Sequence, residues 1–202
     1  MAVPIGVAAH ESFHSFMLQR EIEQFAKAGE LKGGVPKVAN ITASGTIDSF
    51  TKMEDIDREL DSTGYVDAVT DLEQAALSSD PSARRSLYIA AIAARQKVLD
   101  TLRKGDRDEL TLEEDEEGSA TYVGMTAEQL LAGAPIPLDD RVPNGFGSIH
   151  TAPKGGRIPL FYQMGYLMCL ALADLQPDWQ TAWLNNNKAL SEMLNADLTA
   201  RP

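Results

Sequence analysis

Cysteine is almost absent from this chain of 202 residues: Cys169 is the only one, and it lies within an apolar run. No internal disulfide can form, so the fold does not rely on covalent staples. That leaves the compartment open, because many secreted proteins also lack disulfides. Basic charge is scarce as well. Eighteen Lys and Arg stand against 30 Asp and Glu, a formal net charge of −12, whereas binding a phosphate backbone takes clustered Lys and Arg. A nucleic-acid partner is not expected. Long apolar runs are missing too: the longest, "MGYLMCLALADL" from Met164, falls short of the roughly 20 residues needed to cross a bilayer. It reads as a buried helix, and no membrane span is expected. The opening "MAVPIGVAAHESF" lacks the basic stretch that begins a signal peptide.

What is present is ordinary for a globular protein, with 44% hydrophobic and 24% charged residues. One core of good size fits this length, and neither a repeat nor a second composition regime divides the chain. Residues 1–202 therefore read as a single, mainly α domain. Apolar residues recur from Pro4 to about Ala28, with Val7, His10, His14 and Met17 on one face and Phe13 and Phe16 widening it. "VDAVTDLEQAALSS" and "PSARRSLYIAAIAARQKVLDTLRK" predict two more helices, split at Asp80-Pro81, where Asp80 can cap and Pro81 can take the first turn. A helix follows from about Asp106 to Val123, a shorter one after Thr126, and others at Leu160–Leu175, at "DWQTAWL" and after Asn187. "VANITASGTIDSF" reads as a loop or a short extended piece, and Gly133 to Pro159 as a long Pro/Gly-rich loop.

Histidine is also rare, with three in the chain, yet two fall in "VAAHESFHSF". H-E-x-x-H on a helix sets His10 and His14 about 40° apart around the axis and one turn from each other. Both imidazoles can reach one cation, and Glu11, on the flank, can take a proton from water without ligating the metal. Two histidines on an apolar face are costly to satisfy without such a cation. A third ligand is required. The position six residues after His14 is Arg20 rather than His, and "GTIDS" places Asp48 one residue early for a G-T-x-x-D ligand. His150, in the Pro/Gly loop, is one candidate. The acidic stretch that carries Glu113, Glu114 and Glu117, running into "EEGSATYVG", is another. Glu113, Asp115 and Glu116 read as a solvated acidic face.

"EEGSATYVG" resembles the third-ligand helix of aminopeptidase-type gluzincins, where N-E-G-x-A-T-Y follows an H-E-x-x-H helix. The match covers Glu117, Gly118, Ala120, Thr121 and Tyr122. "FYQMGY", with Tyr162 and Gly165, is similar to the Y-x-x-G helix that comes next in that family. The three motifs stand in the family's order.

The resemblance implies a zincin-like helical domain holding Zn²⁺ through His10, His14 and Glu117. It implies a peptidase acting on a peptide or protein substrate, with Glu11 as general base and Tyr162 donating to the oxyanion. Tyr166, His150 and Arg157 are rival donors. Two departures accompany it. The stretch from His14 to Glu117 is much longer than in those aminopeptidases, so the family would be a divergent one. The upstream sheet and its G-x-M-E-N stretch have no counterpart here, which leaves room for the chain being the C-terminal part of a longer protein. Aminopeptidase specificity therefore does not carry over. The rival expectation is a catalytically inactive, zinc-stabilised binding or regulatory module.

Overall fold

The computed structural model describes residues 5–27, 60, 64–133, 160–186 and 188–200, without the side chains of 21–27 and 186. Among these residues every regular element is a helix: α1 (Ile5–Lys27), α2 (Tyr65–Leu77), α3 (Pro81–Leu99), α4 (Lys104–Ala132), α5 (Leu160–Leu175), α6 (Trp179–Asn186) and α7 (Leu190–Ala200). The mainly α, single-domain reading holds. The helices share one apolar core, centred on α5.

Local chemistry explains most of the boundaries. Asp80 accepts a hydrogen bond from the Ser82 backbone N–H at 2.9 Å, and Pro81 occupies the first turn of α3, where its missing N–H costs nothing. Gly64 and Gly133 bracket α2 and α4 in the left-handed region, at φ 85° and 66°. One boundary differs from expectation. The stretch read as two helices is the continuous α4, 29 residues long. Helix continues through Gly124, where the missing side chain lets α1 come close: a Cβ there would stand 2.7 Å from the Gly6 carbonyl oxygen.

Helix α4 is the axis of the site. It packs along α1 on one side and α5 on another; α2 pairs with α3 and also covers α5, and α7 rests on α3 and α5. α5 is apolar on nearly every side and buried accordingly. The closest approach is between α4 and α5, where Gly118 faces Gly165. A Cβ on Gly165 would stand 2.8 Å from Gly118 Cα and closer still to the Glu114 carbonyl oxygen. Helix α1 is the least embedded. His10 is buried, Val7, Phe13 and Met17 are partly so, and Phe16, expected on the packed face, is 48% exposed. It lies about 60° beyond Phe13 around the axis, past the edge of the face turned to α4. The Ser/Thr-rich stretch around Asp48 and the Pro/Gly loop with His150 and Arg157 lie outside the described residues.

Candidate metal centre

The H-E-x-x-H spacing delivers both imidazoles to one place. His10 Nε2 and His14 Nε2 are 3.1 Å apart. Across from them, Glu117 of α4 brings Oε2 to 3.3 Å from His10 Nε2 and 3.4 Å from His14 Nε2. Among the described residues, these three form the one group of His, Cys, Asp and Glu able to hold a metal ion together. Four ligands at 2.0–2.2 Å in a tetrahedron stand about 3.3–3.6 Å from one another. The three separations lie at or just below that edge length. Glu117 Oε2 is buried with no hydrogen bond of good geometry, its nearest polar neighbours being the two imidazole nitrogens. A cation there would relieve that cost. The donor set of two imidazoles and one carboxylate suits Zn²⁺.

Electrostatics favour a cation as well. Burial pushes the Glu117 carboxyl up, but the imidazoles and the Tyr162 hydroxyl beside it outweigh burial and hold it down at about 2. The Glu117 carboxylate in turn raises the His14 imidazole, with Glu11 and Glu116 adding to the effect. Glu11 is exposed on the α1 flank. Glu113, one turn before Glu117, is pushed up to about 7 by burial and by the neighbouring carboxylates of Glu117, Glu116 and Glu109. It stands beside the ligand group, not in it.

Tyr162 of α5 completes the surroundings. Its ring lies parallel to that of His10, with centroids 6.5 Å apart, and its hydroxyl hydrogen-bonds the Glu117 carboxylate. Burial and that carboxylate both push the phenol up, so it remains a neutral donor. Tyr166, the rival donor, is 1% exposed and packs in the core against Tyr122, 6.4 Å away.

Glu113, expected on a solvated face, is instead partly buried beside the ligand group, and two further acidic residues depart from expectation. Glu114 is not available as a ligand. It is fully buried on another face of α4, where Arg95 Nε donates to both its oxygens at 2.9 Å and the Tyr65 hydroxyl also donates. Arg95 reaches Thr111 Oγ1 as well, at 3.2 Å. Asp115 is not a solvated acid either: it accepts from the Leu190 backbone N–H at 3.0 Å, tying α4 to the start of α7. Sequence reasoning missed the Arg95–Glu114–Tyr65 knot, although a signal existed. Arg95 falls in the apolar series Tyr88, Ala91, Val98 and Leu99 of α3, and a cation on an apolar face needs a buried partner.

Comparison with family models, with curated proteins and with solved structures finds no match to this chain.

Proposed function

We propose that the chain is a zinc-dependent hydrolase, a peptidase of gluzincin type in a divergent family. One observation carries the reading: two Nε2 atoms and a buried carboxylate oxygen lie at the mutual separations of a tetrahedral zinc site. His10, His14 and Glu117 hold the ion, which when bound lowers the pKa of water toward neutrality and polarises a carbonyl.

The chain's own groups supply the proton transfers. Glu11 is exposed next to His10, free to accept a proton from the attacking water and pass it to the leaving amine nitrogen. Tyr162, a neutral donor at the edge of the site, turns its hydroxyl toward the oxygen of the attacked carbonyl as charge develops there. Its bond to Glu117 holds the phenol in place beforehand.

The test is cleavage of a generic unfolded protein substrate by the zinc-loaded full chain, with and without chelator, alongside zinc content. Glu11→Gln is expected to keep stoichiometric zinc and to lose turnover by about 10²–10⁴-fold. Full activity in that variant would overturn the mechanism. A wild-type chain that binds zinc and cleaves nothing would be a zinc-stabilised binding module instead.

A further inference from the structure

Helix α1 joins the molecule unlike any other helix around the core. Among its described side chains only His10 is fully buried. Within residues 5–20 its apolar contribution is the half-buried trio Val7, Phe13 and Met17, while Ile5, Phe16 and Leu18 stay exposed. Of the described helices, α4 is the one along which it lies. Elsewhere it reaches out through single side chains, with Phe13 against Trp183 of α6 at 6.3 Å and His10 beside Tyr162. Where α1 and α4 are closest, the facing positions are Gly6 and Gly124, which permit approach but bury little apolar surface. Among the described residues, the three-atom group of His10, His14 and Glu117, two atoms from α1 and one from α4, ties the two helices further.

We propose that zinc is the latch that docks α1 on the helical body, so that the helix carrying H-E-x-x-H is held only while the ion is bound. The inference rests on the metal site proposed above. A ligand that binds one arrangement of two elements stabilises that arrangement by its binding free energy. Among the described side chains of α1, residues 5–20, the apolar burial is slight, so the ion is the principal tie that these residues offer. α2 to α7 keep their own core, built on residues such as Leu72, Leu110, Leu167 and Leu194, and do not need the ion. When α1 leaves, Phe13 leaves Trp183, and the apolar cleft of about 320 Å³ that both residues line loses a wall. Trp179 and Trp183, the two tryptophans of the chain, both line that cleft, so their fluorescence reports the event.

The experiment is amide hydrogen exchange on the full chain, zinc-loaded and chelated, with zinc content measured on the same samples and tryptophan emission followed in parallel. On zinc removal, exchange in α1 is expected to speed up by at least about tenfold while that in α5 stays unchanged, and the emission shifts to the red. Glu117→Gln is expected to behave like the chelated protein even with zinc present. Bound zinc whose removal leaves α1 exchange unchanged overturns the latch and spares the site. Equal loss of protection in α1 and α5 also overturns it, because the ion would then hold the whole fold. A chain that takes up no zinc overturns site and latch together.

Discussion

Gly165→Ala puts one methyl group into the tightest place in the molecule. The new Cβ would stand 2.8 Å from Gly118 Cα and 2.8 Å from the Glu114 carbonyl carbon. Ordinary carbon contacts begin at about 3.5 Å and the Glu114 carbonyl oxygen is closer still, so α4 and α5 must part by more than about an ångström. Both obstacles are backbone, and no side-chain rotamer can relieve the clash. Overpacking of a core costs about 1–3 kcal/mol, occasionally more, and this site belongs at or above the upper end. Alanine returns about 1 kcal/mol through helix propensity. The net loss is about 2–3 kcal/mol, or roughly 4–12 °C in Tm for a domain of this size. Thermal and urea unfolding read it directly. Gly105, at the start of α4, offers open space to an added methyl group, with nothing within 4 Å of it; Gly105→Ala is therefore the control, expected to be neutral or more stable by about 0.5 kcal/mol. Gly118→Ala meets the same crossing from the other side, so the double variant is expected to lose about 1 kcal/mol less than the sum. A Gly165→Ala protein as stable as the wild type would refute the close crossing, and with it the account of how Tyr162 reaches Glu117.

Other perturbations separate the remaining roles. Glu114→Ala leaves the Arg95 guanidinium buried and unpaired and is expected to cost about 3–5 kcal/mol in urea unfolding, whereas Arg95→Met with Glu114→Met recovers most of the loss. A single variant within about 1 kcal/mol of wild type would mean that water reaches the knot. Asp115→Ala removes the acceptor of the Leu190 N–H and is expected to cost about 1 kcal/mol, with faster amide exchange at the start of α7; unchanged exchange there would show that the bond holds nothing. Tyr162→Phe, in the zinc-loaded chain, is expected to lower kcat about 10²–10³-fold with KM and zinc content unchanged. If zinc affinity falls and kcat does not, the hydroxyl serves Glu117 alone.

Short-range signals were the legible ones. The cap at Asp80-Pro81 and the helices around it follow from local hydrogen bonding, and the apolar stretch from Leu160 could only be a buried helix. The pairing of His10 with His14 follows from helix geometry alone. Long-range facts were legible only through chemistry that demands a partner. Glu117 stands out among the neighbouring acids by its place before Gly118, not by anything local that separates it from Glu113 or Glu114. On the structure, Glu114 faces Arg95 and Tyr65, and Glu117 faces the histidines; one turn of a helix less about 60° sends two glutamates to different neighbours. Acidity in a run says nothing about which face each carboxylate takes. The apparent break at Gly124 misled for a related reason: a glycine weakens a helix locally, and only the position of Gly6 on another element shows why one is needed there.

The glycines also bear on what the motif resemblance is worth when no relative supports it. Gly118 directly follows Glu117, and Gly165 lies one turn after Tyr162. The point where α4 and α5 touch is therefore set beside the point where the tyrosine hydroxyl meets the carboxylate. Helix axes ordinarily pack about 8–10 Å apart; a side chain at either glycine would hold the axes at the wide end of that range and withdraw Tyr162 from Glu117. Gly124 does the same for α1, with a Cβ there 3.5 Å from His10 Cβ and against the Gly6 backbone. Any three-helix site that draws two histidines, a glutamate and a tyrosine to one point needs small residues next to the functional ones. E-G-x-A-x-Y and Y-x-x-G thus describe a packing requirement as much as an ancestry, and they could arise wherever such a site is built. For that reason the separations among His10, His14 and Glu117, rather than the motif letters, are the ground on which the zinc reading stands.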